Sequence, residues 1–179
     1  MSSSTIETAD GAKTLWNEFW KLGEARANVP GIHARVTLTQ PELAKNRQFV
    51  VETGSGHHFL VDDAAGGTGP KPIELVAAAL AGCTAFDVIT VLRNKKRQLI
   101  TGYEVRVETE QAERPPQVFV AVRIHHIITG RDVDPAAVTE AIRISEEKYC
   151  AVEAMLKHTA VVRTTFEVIN DGGAPDPNS

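Results

Sequence analysis

The sequence predicts an α+β fold with largely antiparallel sheet. Three short strand-like runs precede a long apolar helix, two more precede a second helix, and one closes the chain, giving the order βββ–α–ββ–α–β. Hairpin-length connections join neighbouring strands, which favours antiparallel pairing. With 179 residues, of which 42% are hydrophobic, the chain is long enough for one domain with its own core.

Charge and termini exclude several classes of partner. The net charge is −4, and no basic cluster stands out beyond Arg93–Arg97, so neither nucleic acid nor an anionic membrane is an expected partner. The first residues lack the cationic and apolar regions of a secretory signal, which predicts a cytoplasmic protein. Thiols stay reduced there, so any bond between Cys83 and Cys150 is expected to be transient.

Composition divides the chain into three parts. Leu15, Trp16, Phe19 and Trp20 recur at helical spacing and predict a short amphipathic helix over about 12–27, which would cover an apolar surface or a partner subunit. The last residues are too rich in Gly, Pro and polar side chains to build a core. We therefore predict an N-terminal extension over 1–33, a main domain over 34–170 and a disordered tail over 171–179.

Turn residues and periodicity place the elements of the main domain. Pro72 is a favoured first residue of a helix, and the helical pattern continues to about Lys96. Asp134, followed by a proline, predicts the N-cap of a second helix that ends near Lys148. A strand over 117–129 carries a long apolar row and is expected at the centre of its sheet, with Val118, Val120, Val122 and Ile124 on one side. Further strands are predicted at 34–39, 47–52, 57–62, around 103–107 and at 161–170.

The first helix is apolar on nearly every side. Between Leu75 and Leu92 only Thr84, Asp87 and Thr90 are clearly polar, which is typical of a helix buried all round. A membrane span is an alternative, but the unbroken apolar run is shorter than the ~18 residues that a span needs. Asp87 would also be costly near its centre. Small residues over 77–82 allow another helix to approach closely, so a partner chain is expected.

The two cysteines leave several interpretations open. Taken alone, Cys83 suits a small buried hydrophobe. The pair is not a CxxC, so neither a thioredoxin-type site nor a zinc ribbon is indicated. Two adjacent histidine pairs, at 57–58 and 125–126, invite a metal site, yet no ligand spacing accompanies them. The sequence therefore predicts no metal and no cofactor.

Two motifs together carry a family resemblance. GPKPIELVAAALAGCTAFDV at 69–88, followed by SEEKYC at 145–150, resembles the OsmC/Ohr family of thiol peroxidases, and in particular its YhfA-like branch. The resemblance covers roughly 34–170. It implies an OsmC-like fold, in which largely antiparallel sheets wrap around two central helices in an intertwined homodimer.

The resemblance also implies an activity in oxidative-stress defence. Family members reduce organic hydroperoxides: a thiolate attacks the peroxide, becomes a sulfenic acid and condenses with a second cysteine. An external dithiol, often lipoamide, then reduces the disulfide. By their positions in the motifs, Cys83 matches the peroxidatic cysteine and Cys150 the resolving one. An apolar surround would admit alkyl or fatty-acyl hydroperoxides, and condensation protects the sulfenic acid from further oxidation.

The chain departs from the peroxidases in the groups that activate the thiol. Those members place a glutamate ten residues before the cysteine, where this chain has Ile73, with Glu74 next to it. On one straight helix Glu74 and Cys83 would lie on opposite faces, about 13 Å apart along the axis. Glu74 is therefore expected to act from the partner's antiparallel helix, to reach the thiol through a bend near the helix start, or to serve only the helix dipole.

The activating arginine is the second departure. A reactive thiol needs a nearby cation or a helix N-terminus, and no arginine lies between Arg47 and Arg93. Arg47 is the predicted activating residue, with Arg35 as the alternative. For Cys150, the N-terminal dipole of the short helix that follows it is a further candidate source of activation.

These residues lead to one main function and two alternatives. The main one is a homodimeric thiol peroxidase that acts on organic hydroperoxides, with a dithiol reductant, through Cys83, Cys150, Glu74 and Arg47. The first alternative is a non-catalytic OsmC-like protein that binds a small hydrophobic ligand in the dimer cleft. The second is a docking protein that uses the helix of Trp16 and Trp20.

Overall fold

The chain forms two compact units on either side of the Gly69–Pro70 boundary in a computed structural model. The structure describes residue 32 and residues 34–39, 47–63 and 65–171. The helix predicted over 12–27 and most of the predicted tail lie outside the described residues. The predicted domain boundaries stay a prediction.

The first unit contains a three-stranded antiparallel sheet. Its strands are β1 (Ala34–Leu38), β2 (Phe49–Thr53) and β3 (His58–Val61), which pair in that order. The Thr53 amide donates to the His57 carbonyl at 2.9 Å, and Gly56 has a φ of 81° in the turn. The positive φ suits glycine, which has no Cβ to clash with the backbone. All three predicted strands and the hairpin are confirmed.

The second unit packs helices against a second three-stranded sheet with the order β4-β5-β6. The long first helix is α1, and two short helices, α2 and α3, separate β5 from β6. The bounds are α1 (Pro72–Thr90), β4 (Leu99–Gln111), β5 (Phe119–Arg131), α2 (Pro135–Ile144), α3 (Ala151–Leu156) and β6 (Val161–Asn170). The predicted central position of β5 is confirmed.

One pairing in this sheet is parallel. β4 and β5 are antiparallel, as a direct connection favours, but β5 and β6 run parallel with Ala121 opposite Val161. The chain leaves β5, passes through α2 and α3 and re-enters at the same end of the sheet, which is the crossover that parallel strands need. The other described pairings are antiparallel, in agreement with the predicted fold class.

Both main helices begin where their capping residues predict. The Lys71 amide donates to the Glu74 carboxylate at 2.9 Å, so the side chain satisfies a backbone donor at the start of α1. The Ala136 amide donates to the Asp134 carboxylate at 2.8 Å, so Asp134 is the N-cap of α2.

The C-terminal ends of both helices are wider than an α-helix. A π-helical turn over Val91–Lys95 follows α1, and another over Ser145–Tyr149 follows α2. In the second turn the Cys150 amide donates to the Ser145 carbonyl at 2.9 Å, a bond that spans five residues instead of four. The sequence predicted regular helix to Lys96 and to Lys148, so the helical extents are right but the π turns were missed.

An irregularity at the start of β5 changes which residues are buried. Gln111 of β4 is opposite Phe119 and Glu110 is opposite Ala121, which leaves Val120 as an extra residue. Such a bulge shifts the alternation of faces. Phe119 is consequently buried with Val122, whereas Val120 is exposed. Val118 and Val120, predicted on one side of the strand with Val122 and Ile124, are both exposed, so this part of the prediction is wrong.

The main core of the second unit lies between the helices and the sheet. Ile128 in the centre of β5 is fully buried among residues of α1, α2 and β4. Its buried neighbours are Val88, Val91, Leu92, Ile100, Val133, Ala137, Val138, Ala141 and Ile142.

The helix α1 with its π turn is more apolar than its own contacts require. By length and composition alone Pro72–Lys95 would suffice to cross a membrane, and only 28% of its most apolar window is buried. Phe86 is 77% exposed. The predicted burial on every side is therefore not supplied by the residues that the structure describes.

Replacement of Ile128 by alanine should lower the free energy of unfolding by about 2–5 kcal/mol, because it removes buried methylenes and leaves a cavity. Urea unfolding followed by circular dichroism measures this. Ile169→Ala, at a position 47% exposed in β6, is the matched control and should cost clearly less. Equal losses at both positions would contradict the assignment of this core.

Candidate functional site

The fold brings Cys83 and Cys150 together. Cys83 lies in the middle of α1, and Cys150 ends the π turn after α2. Their Sγ atoms lie within 4.8 Å of one another, and both thiols are free. A disulfide has an S–S distance of about 2.0 Å, so the sulfurs need to approach by at most about 3 Å to join. The two thiols therefore form a pair, although 83 and 150 are distant in the sequence.

A carboxylate completes this cluster. Asp87 follows Cys83 by four residues on α1, which places both side chains on one face of the helix. One Asp87 carboxylate oxygen lies within 4.8 Å of both sulfurs. The cluster of Cys83, Asp87 and Cys150 is called the thiol–carboxylate cluster below.

Buried hydroxyl groups hold Asp87 in place. The Ser145 hydroxyl donates to Asp87 Oδ2 at 3.0 Å and lies 3.4 Å from Thr84 Oγ1. Ser145 and Thr84 are both buried. Since buried hydroxyls need partners, this link between α1 and the π turn fixes the orientation of the carboxylate beside the thiols.

The remaining surroundings of the sulfurs are apolar. Cys150 is buried in a cluster from α1, β5 and the segment before β6, and the half-buried Cys83 packs against this cluster. The other buried members are Leu80, Phe119, Val122, Ile124 and Ala160. The two sulfurs therefore lie against an apolar wall.

Burial governs the chemistry of Cys150. Removal from water is the largest influence and raises the pKa of its thiol, and the neighbouring Cys83 and Glu153 act in the same direction. The Glu153 amide at the start of α3 donates to the thiol and opposes the shift, but burial outweighs it. The activation of Cys150 by the following helix, expected as an alternative, is thus too weak to keep its thiol ionised at neutral pH.

Glu153 is a buried carboxylate beside Cys150. Its side chain is 1% exposed, and Lys157 Nζ lies 2.8 Å from Oε1. Among the described residues neither carboxylate oxygen has a partner with the geometry of a hydrogen bond. Burial raises the pKa of Glu153, while Lys157 lowers it by a smaller amount.

A second buried polar pair lies in the sheet. The Tyr103 hydroxyl is 2.7 Å from His126 Nδ1, and the two rings are stacked. Burial lowers the pKa of His126 to about 4, with a smaller contribution from His125, so the imidazole is neutral at neutral pH. Burial also raises the pKa of Tyr103, and the charge of Asp87 adds to this. The negative charge of Asp87 therefore acts on the Tyr103 hydroxyl of β4.

Glu74 and Arg47 have other partners in the structure. Glu74 is exposed at the start of α1, where its bonds with Lys71 lower the pKa of its carboxyl. Arg47 belongs to the first unit, and its guanidinium is 2.8 Å from Asp63 Oδ2. Arg35, the alternative, pairs with Glu52. The catalytic roles predicted for Glu74 and Arg47 stay predictions.

The thiol–carboxylate cluster is the one group among the described residues whose atoms stand close enough to share a metal ion. Three donors fall short of the four that a structural zinc site uses. The two sulfurs are moreover close enough to react with one another. The arrangement suits thiol chemistry better than metal binding.

Comparison with known proteins places this arrangement in a family. A family model described as OsmC-like protein matches residues 65–165, which include both cysteines. Protein YhfA of Escherichia coli K12 is 40% identical over 121 residues, covering 68% of this chain and 90% of YhfA. The chain belongs to the OsmC family.

Solved structures show the same OsmC fold. A hypothetical protein from Aquifex aeolicus VF5 superposes with a TM-score of 0.70 at 23% identity, covering 80% of this chain and 99% of that chain. An organic hydroperoxide resistance protein, OsmC, from Legionella pneumophila gives a TM-score of 0.58 at 19% identity, covering 79% and 100%. The resemblance seen in the two sequence motifs is confirmed.

Sequence reasoning missed three polar members of this OsmC site. Asp87 could have been identified from the sequence, because its spacing of four residues from Cys83 puts both side chains on the same helical face. Ser145 was not, since only the π turn places it beside α1 while Cys150 remains at the cluster. Glu153 looked like an ordinary exposed helix residue, and only the packing of α3 shows that it is buried.

Replacement of Glu153 by glutamine should stabilise the protein more at pH 7 than at pH 4. The pKa of Glu153 is higher in the folded than in the unfolded chain, so folding binds protons and stability falls as pH rises above the usual glutamate value. Glutamine lacks this titration. Urea unfolding of both proteins at the two pH values measures the difference.

Glu113→Gln, at an exposed position, is the matched control and should show no such pH dependence. A gain from Glu153→Gln that is the same at both pH values would show that the buried carboxylate carries no net cost of ionisation.

Proposed function

We propose that this protein is a thiol peroxidase that reduces organic hydroperoxides through Cys83 and Cys150. The observation that carries the proposal is the approach of the two Sγ atoms to within 4.8 Å in apolar surroundings. Membership of the OsmC family supports a role in the redox stress response. The name of the relative YhfA states no activity. The structural neighbour from Legionella pneumophila is called an organic hydroperoxide resistance protein.

The unequal exposure of the thiols supports the proposed order, in which Cys83 attacks and Cys150 resolves. Cys83 is half-buried, whereas Cys150 is 2% exposed and has a raised pKa. A peroxide therefore reaches Cys83 first. Its sulfur attacks the terminal peroxide oxygen, the O–O bond breaks, and an alcohol and a Cys83 sulfenic acid result. Cys150 then attacks the Cys83 sulfur, water leaves, and a disulfide forms.

The apolar wall favours organic over hydrogen peroxide. Val76 and Ala77 of α1 are only partly buried where they pack on the same cluster as Cys83, so they offer contacts to an alkyl chain. Burial of each methylene contributes about 0.8 kcal/mol to binding. Completion of the cycle needs an external dithiol of the lipoamide type, acting in the reducing cytoplasm.

The active form is proposed to be a homodimer. Only 28% of the most apolar window of α1 is buried in one chain, and Phe86 is largely exposed on this helix. A second copy of this chain would supply a matching apolar helix, because in a two-fold dimer the same face of each subunit contacts its counterpart. Such a dimer would allow the alternative in which Glu74 of one chain acts on the thiols of the other.

Treatment of the reduced protein with one equivalent of cumene hydroperoxide should remove two hydrogens from its mass. Cys150→Ser should instead gain one oxygen as a trapped sulfenic acid, and Cys83→Ser should stay unchanged. Intact-mass spectrometry with and without prior dithiol measures all three. The two serine variants are matched controls, since each keeps one thiol.

An unchanged mass of the wild type would contradict the peroxidase. Binding of a small hydrophobic ligand would then be the function to test. Oxidation of Cys83→Ser with protection of Cys150→Ser would reverse the roles of the two thiols.

Phe86→Glu should convert the dimer to a monomer, because it places a charge in the apolar face that the second copy covers. Sedimentation equilibrium measures the mass. Thr139→Glu, at an exposed position on α2, adds the same charge outside this face and should remain dimeric. A monomeric wild type, or a Phe86→Glu dimer, would contradict the proposed interface.

A further inference from the structure

The thiol–carboxylate cluster holds a group whose place in the reaction is open. Asp87 is a carboxylate in an apolar site, and its orientation is fixed by Ser145, yet a negative charge next to a thiol disfavours the thiolate. A carboxylate in this position therefore does not activate Cys83 through its charge. A different role in the reaction is therefore needed to explain a carboxylate beside the two sulfurs.

We propose that Asp87 is the proton-transfer residue of this site, accepting the thiol proton as each sulfur attacks and delivering it to the leaving oxygen. The proposal rests on the peroxidase function proposed above. It assigns proton transfer to a residue on the same helix face as Cys83, whereas the sequence named Glu74 and Arg47 only as candidates for activating the thiol.

The geometry serves both cysteines from one point. An Asp87 carboxylate oxygen is within 4.8 Å of the Cys83 sulfur and of the Cys150 sulfur. The Ser145 hydroxyl occupies Oδ2 at 3.0 Å, and a carboxylate retains further acceptor sites after one such bond. Ser145 belongs to the turn that ends at Cys150, so the residue that orients the carboxylate and the second thiol lie on the same segment.

The surroundings make such a residue necessary. Cys150 is buried, and the raised pKa of its thiol means that it carries its proton at neutral pH. Attack by sulfur therefore requires that the proton be removed in the same step. A fixed carboxylate within a few ångströms fits a general base, since the geometry tightens only when the reacting groups meet.

In the first step a bond forms between the Cys83 sulfur and the terminal oxygen of the hydroperoxide, and the O–O bond breaks. The proton passes from Cys83 to Asp87 and on to the leaving alkoxide, which departs as the alcohol. The peroxide gains two electrons and the sulfur loses two.

In the second step a bond forms between the sulfurs of Cys150 and Cys83, and the S–O bond of the sulfenic acid breaks. The proton of Cys150 passes through Asp87 to the leaving hydroxide, which departs as water. Asp87 gains and loses one proton in each step, so it is unchanged at the end.

Asp87→Asn tests the proposal because it predicts two opposite changes. Oxidation by cumene hydroperoxide should slow by about 100- to 10 000-fold, the usual contribution of a general acid–base group. Alkylation of Cys83 by iodoacetamide should become faster, since loss of the neighbouring negative charge favours the thiolate. The first reaction is measured in a Cys150→Ser background, and disulfide formation is measured with both cysteines present.

Asp132→Asn is the matched control. Asp132 is exposed in the turn after β5 with a φ of 48°, a conformation that asparagine also tolerates, so the same charge is lost without a change of site. Both rates should stay at the wild-type value. Circular dichroism and the unfolding midpoint show that each variant is folded.

Ser145→Ala gives a second test if Asp87→Asn does not fold. It leaves the carboxylate in place and removes the bond that orients it, so oxidation should slow by about tenfold, without faster alkylation. Unchanged oxidation in a folded Asp87→Asn protein would overturn the proposal. So would a decrease of oxidation and alkylation by the same factor, which would indicate a distorted site. A wild-type protein inert to the hydroperoxide would overturn the peroxidase itself, and this failure is distinguishable because it appears before any substitution.

Discussion

The packing of α1 against the helical segment that ends at Cys150 is the contact on which the site depends. Val88 of α1, with Val91 and Leu92 of the π turn that follows it, shares one core with α2. The residues of α2 in this core are Val138, Ala141 and Ile142. This core holds two segments distant in sequence at a fixed separation. Together with the second cluster, in which Cys83 packs against Cys150, and with the bond from Ser145 to Asp87, it keeps the two thiols close.

The polar groups buried near the thiols differ in how much they cost the stability of the fold. Ser145 and Thr84 are buried and are paired around Asp87, so their burial costs little. Glu153 differs, because its raised pKa reports a net cost of ionisation that Lys157 does not remove. Polar groups of this kind are typical of functional sites, where their energetic cost is retained for reactivity.

The sequence was most informative where local chemistry determines structure. Pro72 and Asp134 marked the helix starts because proline and aspartate have specific roles there, and β6 was placed at the observed Val161–Asn170 because its alternation is regular. The π turn before Cys150 and the bulge at Val120 were missed, since each inserts one residue for reasons of tertiary packing. The pairing of Cys83 with Cys150 came from the family resemblance, as spacing alone gave no distance between them. The ion pair between Arg47 and Asp63 was not predicted, because no local sequence pattern links the two residues.

The distance between positions 83 and 150 along the chain has a thermodynamic consequence. A disulfide between them would close a long loop and restrict the unfolded ensemble, which in the chain-entropy model raises the free energy of unfolding by about 4 kcal/mol. The oxidised protein would then be the more rigid and heat-resistant form, and reduction would return it to a looser one. The melting temperature of the protein would in this way report the redox balance of its surroundings.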